Sequence, residues 1–169
     1  MPVARRSRLG HVFAVVAAVA ALAACSDVSE SPEFSAASWP DGAPTDVTDL
    51  RGSAVLLAGW ATWCVPCERE LPMLDEFAAT AAAENVEIVA VNVDRADVAD
   101  GDLEAMLDRL DVDLPVWRDR AKTFLAAYEG TMMPYSVLLD RDGAVARSWV
   151  GSLDTDSDEF LAAVAEVSG

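Results

Sequence analysis

Histidine is almost missing from this chain: one residue, His11, occurs in 169, and it lies in the first two dozen. Cations are scarce as well, with 12 Lys and Arg against 29 Asp and Glu and a formal net charge of −17. So few Lys and Arg cannot build a basic patch, which excludes nucleic acid as a partner. Cysteine is limited to Cys25, Cys64 and Cys67. No internal repeat is visible. What remains is globular in composition, 53% hydrophobic and 24% charged, and long enough for one domain with its own core.

The first residues read as a targeting segment. Arg5, Arg6 and Arg8 form a positive start, and residues 12–22 form an apolar stretch too short for a permanent membrane span. The stretch ends in Leu22-Ala23-Ala24-Cys25, which resembles a bacterial lipobox. That resemblance implies a lipoprotein signal peptide over residues 1–24, with Cys25 lipid-modified and first in the mature chain. The alternative is an ordinary small-residue cleavage site with Cys25 incidental. Arg5 to Leu9 has a weak likeness to a twin-arginine signal, so the export route, Sec or Tat, stays open. Loss of the leader removes three Arg and gives 9 − 29 = −20 for the mature charge. It also removes His11, which excludes Ser-His-Asp and Cys-His catalysis and any His-ligated metal site. A domain this acidic is repelled by anionic lipid, so a covalent anchor is what would hold it at a membrane.

Residues 25–38 are rich in Ser, Glu, Asp and Pro and read as a flexible tether, with the domain expected to begin near Phe34 to Trp39 and set at residues 39–169. Within the domain, strand and helix signals alternate. Residues 54–60 are a nearly continuous apolar run, as a strand buried on both faces requires. Helical spacing follows to about Ala83, and residues 87–93 form a second buried strand, which completes a βαβ unit with parallel strands. A helix around residues 103–110, a brief strand at 114–117 and a short helix at 122–128 come next. Residues 135–139 and 144–150 are strand-like and flank Asp142-Gly143, a hairpin signal. A closing helix carries Phe160, Leu161, Val164 and Val167. The fold class is α/β, with mixed strand directions.

The chemistry lies in Trp63-Cys64-Val65-Pro66-Cys67. Two cysteines two residues apart, after a strand and before a helix, make a dithiol that can close and reopen. Disulfide exchange requires an accessible thiolate. At a helix start, unpaired N–H groups and the helix dipole favour that charge. Cys64 is therefore expected to attack, and Cys67, one turn deeper and less exposed, to resolve. Pro66 suits the first helical turn because it has no N–H to leave unpaired. Two other readings compete. Half a zinc site lacks ligands, since only Cys25 and carboxylates are left to complete it. A static structural disulfide remains compatible with the sequence.

Trp60-Ala61-Thr62-Trp63-Cys64-Val65-Pro66-Cys67 resembles the active-site stretch of the TlpA/ResA-like branch of the thioredoxin superfamily. Asp49-Leu50-Arg51-Gly52, residues 87–94 and residues 134–143 sit where that family has counterparts, so the resemblance spans about residues 34–167. It implies a thioredoxin-like fold with a central mixed sheet flanked by helices. It implies a cis proline at Pro134 facing the dithiol, the alternative being a trans proline that opens an edge strand. Family members often carry Thr or Val before this proline; Met133 departs from that pattern, so partner selectivity and redox tuning are not carried over. The resemblance also implies that Glu70 lies near the dithiol and tunes its protonation. Its alternative is a solvated surface charge like Glu68 and Arg69. Thioredoxins of the cytoplasm bury an acid six residues before the first Cys; Ala58 stands there in this chain. Trp63 is expected beside the dithiol in the docking surface, and Trp60 in the core. Pro72 is expected to kink its helix. Asp94, at a strand end, has no assigned role.

The resulting expectation is a thiol–disulfide oxidoreductase, lipid-anchored at the extracytoplasmic face of the bacterial cell membrane, with no cofactor and no metal. Its partners would be exported proteins and a membrane thiol–disulfide electron donor. Family resemblance favours reduction, for example of apocytochrome c thiols in cytochrome c maturation. Alternatives are a disulfide oxidase and a non-catalytic thioredoxin-fold binding lipoprotein. A peroxiredoxin-like peroxidase is excluded, because its Pro-x-x-x-Thr-x-x-Cys signature is replaced by Leu57 and Ala61 before Cys64. Copper-delivery relatives are excluded by the Cys spacing and the absent histidine.

Overall fold

The computed structural model describes residues 32–168. The expected leader, Cys25 and the first part of the expected tether lie outside them. The rest of the tether reading is corrected. Ser35–Trp39 form strand β1, and Phe34 just before it is only 1% exposed, so the folded domain begins ahead of residue 39. This strand is small and Ser-rich, without an apolar run, yet Phe34 stacks near Trp117 and meets Phe124 and Tyr128 edge-on. Those rings tie the segment down. A tight turn with Gly42 at φ 70° leads into β2, Pro44–Asp46. Asp46 then caps a short 3-10 turn, Val47–Leu50.

The remaining strands are β3 (Ala54–Trp60), β4 (Val86–Asn92), β5 (Val116–Arg118), β6 (Tyr135–Leu139) and β7 (Val145–Val150). The helices are α1 (Val65–Ala83), α2 (Asp100–Leu110), α3 (Phe124–Ala127) and α4 (Asp158–Ser168). One mixed sheet runs β2-β1-β5-β4-β3-β6-β7. As the βαβ reading requires, β3 and β4 are parallel, from Ala54 opposite Val86 to Trp60 opposite Asn92. β6 lies antiparallel on the other side of β3 and pairs with β7 through the Asp142-Gly143 turn. There Asp140 accepts from the amides of Asp142 and Ala144, and Gly143 supplies φ 84°.

Every residue of β3 is buried, so its alternating side chains feed two cores. Leu56, Ala58 and Trp60 face α1, α2 and α4, where Leu71, Leu74, Leu103 and Phe160 pack. Val55 and Leu57 face the other side, against Phe34, Phe124, Tyr135 and Val137. With both faces covered, β3 ends in one place only: at the loop that carries the cysteines. Helix α1 runs on through Pro72.

Candidate active site

Cys64 is the N-cap of α1, with extended backbone at φ −91° and ψ 92°, and Pro66 sits in the first helical turn. The Cys64 carbonyl accepts from the amides of Cys67 and Glu68, at 3.0 and 3.3 Å. Cys64 and Cys67 form a disulfide. The expected contrast in exposure between them is absent in this oxidised form: Cys64 is 2% exposed and Cys67 1%. The bond draws the Cys64 sulfur onto a residue whose helical turn packs in the core, so both are closed in. What projects from the site is Trp63, 64% exposed, and Val65, 62% exposed. Trp60 is core, as expected.

Glu68, Arg69 and Glu70 are consecutive but part ways. Glu68 pairs at 3.3 Å with Arg109 of α2 at the surface. Glu70 turns inward and is 3% exposed. It sits three residues after Cys67, which stacks the two side chains on one helix face. Its Oε1 accepts from the Ser136 hydroxyl on β6 at 3.3 Å, while Oε2 has no hydrogen-bond partner among the described residues. Burial pushes its carboxyl up to about 7, against smaller opposing pulls from the Leu153 amide and Ser136. Ser136 is the direct cross-strand partner of Ala58. The buried acid thus arrives from α1 over the position where Ala58 leaves room, not from β3 itself. The surface-charge alternative for Glu70 is ruled out by this burial.

The Met133–Pro134 peptide is cis. Pro134 is buried and its carbonyl accepts from the Gly151 amide at 2.9 Å, which ties the loop to the end of β7. The Met133 side chain reaches under β3: its Cε is 3.0 Å from where a Cβ on Gly59 would stand. Phe124 Cε1 would be 2.7 Å from the same point, so only glycine fits there.

A buried polar cluster also holds the loop, and sequence reasoning gave it no role. Asp94, 1% exposed, accepts from the Thr62 amide at 2.9 Å and the Thr62 hydroxyl at 3.1 Å. The Asn92 side-chain amide donates to it at 2.9 Å. The only sequence signal was a polar pair, Asn92 and Asp94, closing a buried parallel strand at the edge where α/β sheets place functional groups. Of the expected site residues, the structure gathers Trp63, Cys64, Cys67, Glu70, Met133 and Pro134 at this edge.

Residues 28–164 match the Redoxin family. ResA, a thiol-disulfide oxidoreductase of Geobacillus thermodenitrificans, is 34% identical over 125 residues, covering 74% of this chain and 70% of that protein. The Bacillus subtilis ResA is 30% identical over 128 residues, covering 76% and 69%. Among solved structures, a Chlorobium tepidum protein described as a DsbE thiol:disulfide interchange protein is similar with a TM-score of 0.72 and 29% identity, over 82% of this chain and 95% of that one. StoA of Bacillus subtilis shares the fold, with a TM-score of 0.63 and 21% identity over 75% and 92%. The chain belongs to the redoxin family and is a TlpA/ResA-like thiol–disulfide oxidoreductase of thioredoxin-like fold.

Proposed function

We propose that this oxidoreductase works from a lipid anchor on Cys25 at the extracytoplasmic face of the cell membrane and reduces disulfides of exported proteins. Cytochrome c maturation is one setting in which apocytochrome thiols need such a reductant. The observation that supports exchange at this site is Glu70, a buried carboxyl one helical turn from Cys67 whose pKa is pushed up to about 7, while the reductive direction rests on the likeness to the TlpA/ResA-like family. At neutral pH the Glu70 carboxyl is present in both protonation states, as a proton shuttle requires.

The Cys64 thiolate attacks one sulfur of the substrate disulfide, and the other substrate sulfur leaves as a thiolate that Glu70 protonates. Cys67 then gives its proton to the Glu70 carboxylate and attacks Cys64 Sγ. The second substrate sulfur leaves as a thiolate and takes the proton that Glu70 has just received from Cys67, and the Cys64–Cys67 disulfide remains. Two electrons and two protons pass to the substrate, and a membrane thiol–disulfide donor restores the dithiol. Trp63 and the Met133–Pro134 loop form the docking surface beside the sulfurs.

The test is equilibration of the full chain with glutathione or dithiothreitol buffers. A reductase has a potential well below that of glutathione's compartment. A value near about −120 mV, the strongly oxidising end, would overturn the reductive reading and leave disulfide oxidation. A Cys64→Ser variant that still reduced insulin would remove Cys64 from the mechanism altogether.

A further inference from the structure

A groove of about 490 Å³ opens beside the dithiol, between Trp63 before Cys64 and Met132 and Met133 before Pro134. Leu125 and Lys122 complete the walls that matter. Its volume is that of clefts which take up a bound group. Trp63 and Met132 expose 64% and 57% of their surface, so large apolar area lies in water here.

Lys122 is the only lysine in the chain, and it stands in a molecule of net charge −17. Its ammonium forms no ion pair or hydrogen bond among the described residues. Two acids lie nearby, and both are engaged. Asp119 lines the groove but is 1% exposed and accepts from the Thr123 amide, the Thr123 hydroxyl and the Phe124 amide. Asp97 feels the charge of Lys122 but is bonded to Arg95 at 3.1 Å. The accessible charge in the groove is therefore positive, the reverse of the molecule as a whole.

The walls are covalently next to Cys64 on one side and Pro134 on the other. A polypeptide whose sulfur is bonded to Cys64 must lay its neighbouring residues here. We infer, resting on the oxidoreductase reading above, that the groove selects substrate segments in which the exchanging cysteine is followed or preceded by an apolar side chain and then a carboxylate. The apolar group seats against Trp63, Leu125 and Met132, and the carboxylate meets Lys122. The chemistry is that of ordinary exchange: protein dithiol plus peptide disulfide gives protein disulfide plus peptide dithiol.

The experiment measures exchange rates of the full chain with disulfide peptides that differ only in the pair flanking each cysteine. The pairs are Leu-Glu, Leu-Lys and Ser-Gln, in both orders. A partly exposed charge pair is worth a few-fold, so Leu-Glu should exceed Leu-Lys by about three- to fivefold. That ratio should fall toward one as ionic strength rises to about 1 M. Burial of the apolar side chain should set Leu-Glu roughly tenfold above Ser-Gln. Within the Lys122→Glu variant the order of Leu-Glu and Leu-Lys should invert. Equal rates for the three peptides in the native protein, or an unchanged order in Lys122→Glu, overturn the groove reading while exchange itself stands. No exchange with any peptide overturns both.

Discussion

Glu70 is the residue on which the proposed proton transfer turns, and its burial has a thermodynamic sign. Its folded pKa, about 7, lies above the usual 4.5, so the native state holds this proton more tightly than the unfolded chain. Stability from this group is greatest at low pH and is lost as pH rises from about 4.5 through about 7. The span corresponds to on the order of 3 kcal/mol. Gln at this position keeps an acceptor for Ser136 and carries no charge. Glu70→Gln should match the native protein near pH 4 and exceed it near pH 8, read by urea unfolding of the oxidised form. A difference that does not vary with pH would show that the carboxyl does not titrate between the folded and unfolded states. The same variant should lose about a hundredfold in exchange rate, the low end of general acid–base effects, and lose the limb of the pH profile near 7. The inward turn of Glu70 was legible in part. Positions 67, 70, 71 and 74 fall on one helical face, and three of the four are apolar. What the sequence did not show was the room above Ala58 and the donor on Ser136, because both depend on β6 pairing with β3.

At the scale of elements, the loop between β3 and α1 is held by two devices. Asp94 satisfies the Thr62 amide and hydroxyl and the Asn92 amide. Asp94→Ala strands those buried donors, at ~1–3 kcal/mol each for the worst placed. It should destabilise the protein by about 2–4 kcal/mol in urea unfolding. Asp94→Asn can still accept from the Thr62 amide, while its own amide donates to the Thr62 hydroxyl, so it should recover most of the loss. Equal losses in the two variants would show that charge and not hydrogen bonding holds the loop. The second device is Gly59, which lets β3, Phe124 and Met133 close up. Gly59→Ala should cost about 1–3 kcal/mol by overpacking and slow exchange, since the ring of Phe124 and the Tyr135 carbonyl leave the methyl nowhere to go. A variant as stable as the native protein would show that the packing relaxes freely. The strands that carry these devices were the readable ones. β3 and β6 are apolar runs, and their bounds follow from composition alone. β1 and β2 were not readable, because short runs of Ser, Ala, Thr and Pro carry neither an apolar run nor an apolar alternation.

At the scale of the molecule, charge and anchoring make opposite demands. No helix among the described residues is long and apolar enough to cross a membrane. Under the proposed lipoprotein reading the chain from Cys25 would carry 9 − 29 = −20, which anionic lipid repels. If the protein resides at a membrane, attraction must come from elsewhere, and a diacylglyceryl group on Cys25 supplies two acyl chains, which is what stable anchoring takes. Electrostatic adsorption would be weakened by salt, whereas acyl burial would not. The native protein should therefore stay in the membrane fraction through washes at about 1 M salt and leave only with detergent. It should also take up labelled fatty acid. Cys25→Ala should do neither, while its purified domain keeps full exchange through Cys64 and Cys67. Release of the native protein by salt, or retention of Cys25→Ala on the membrane, would mean that protein contacts and not lipid hold this acidic domain in place.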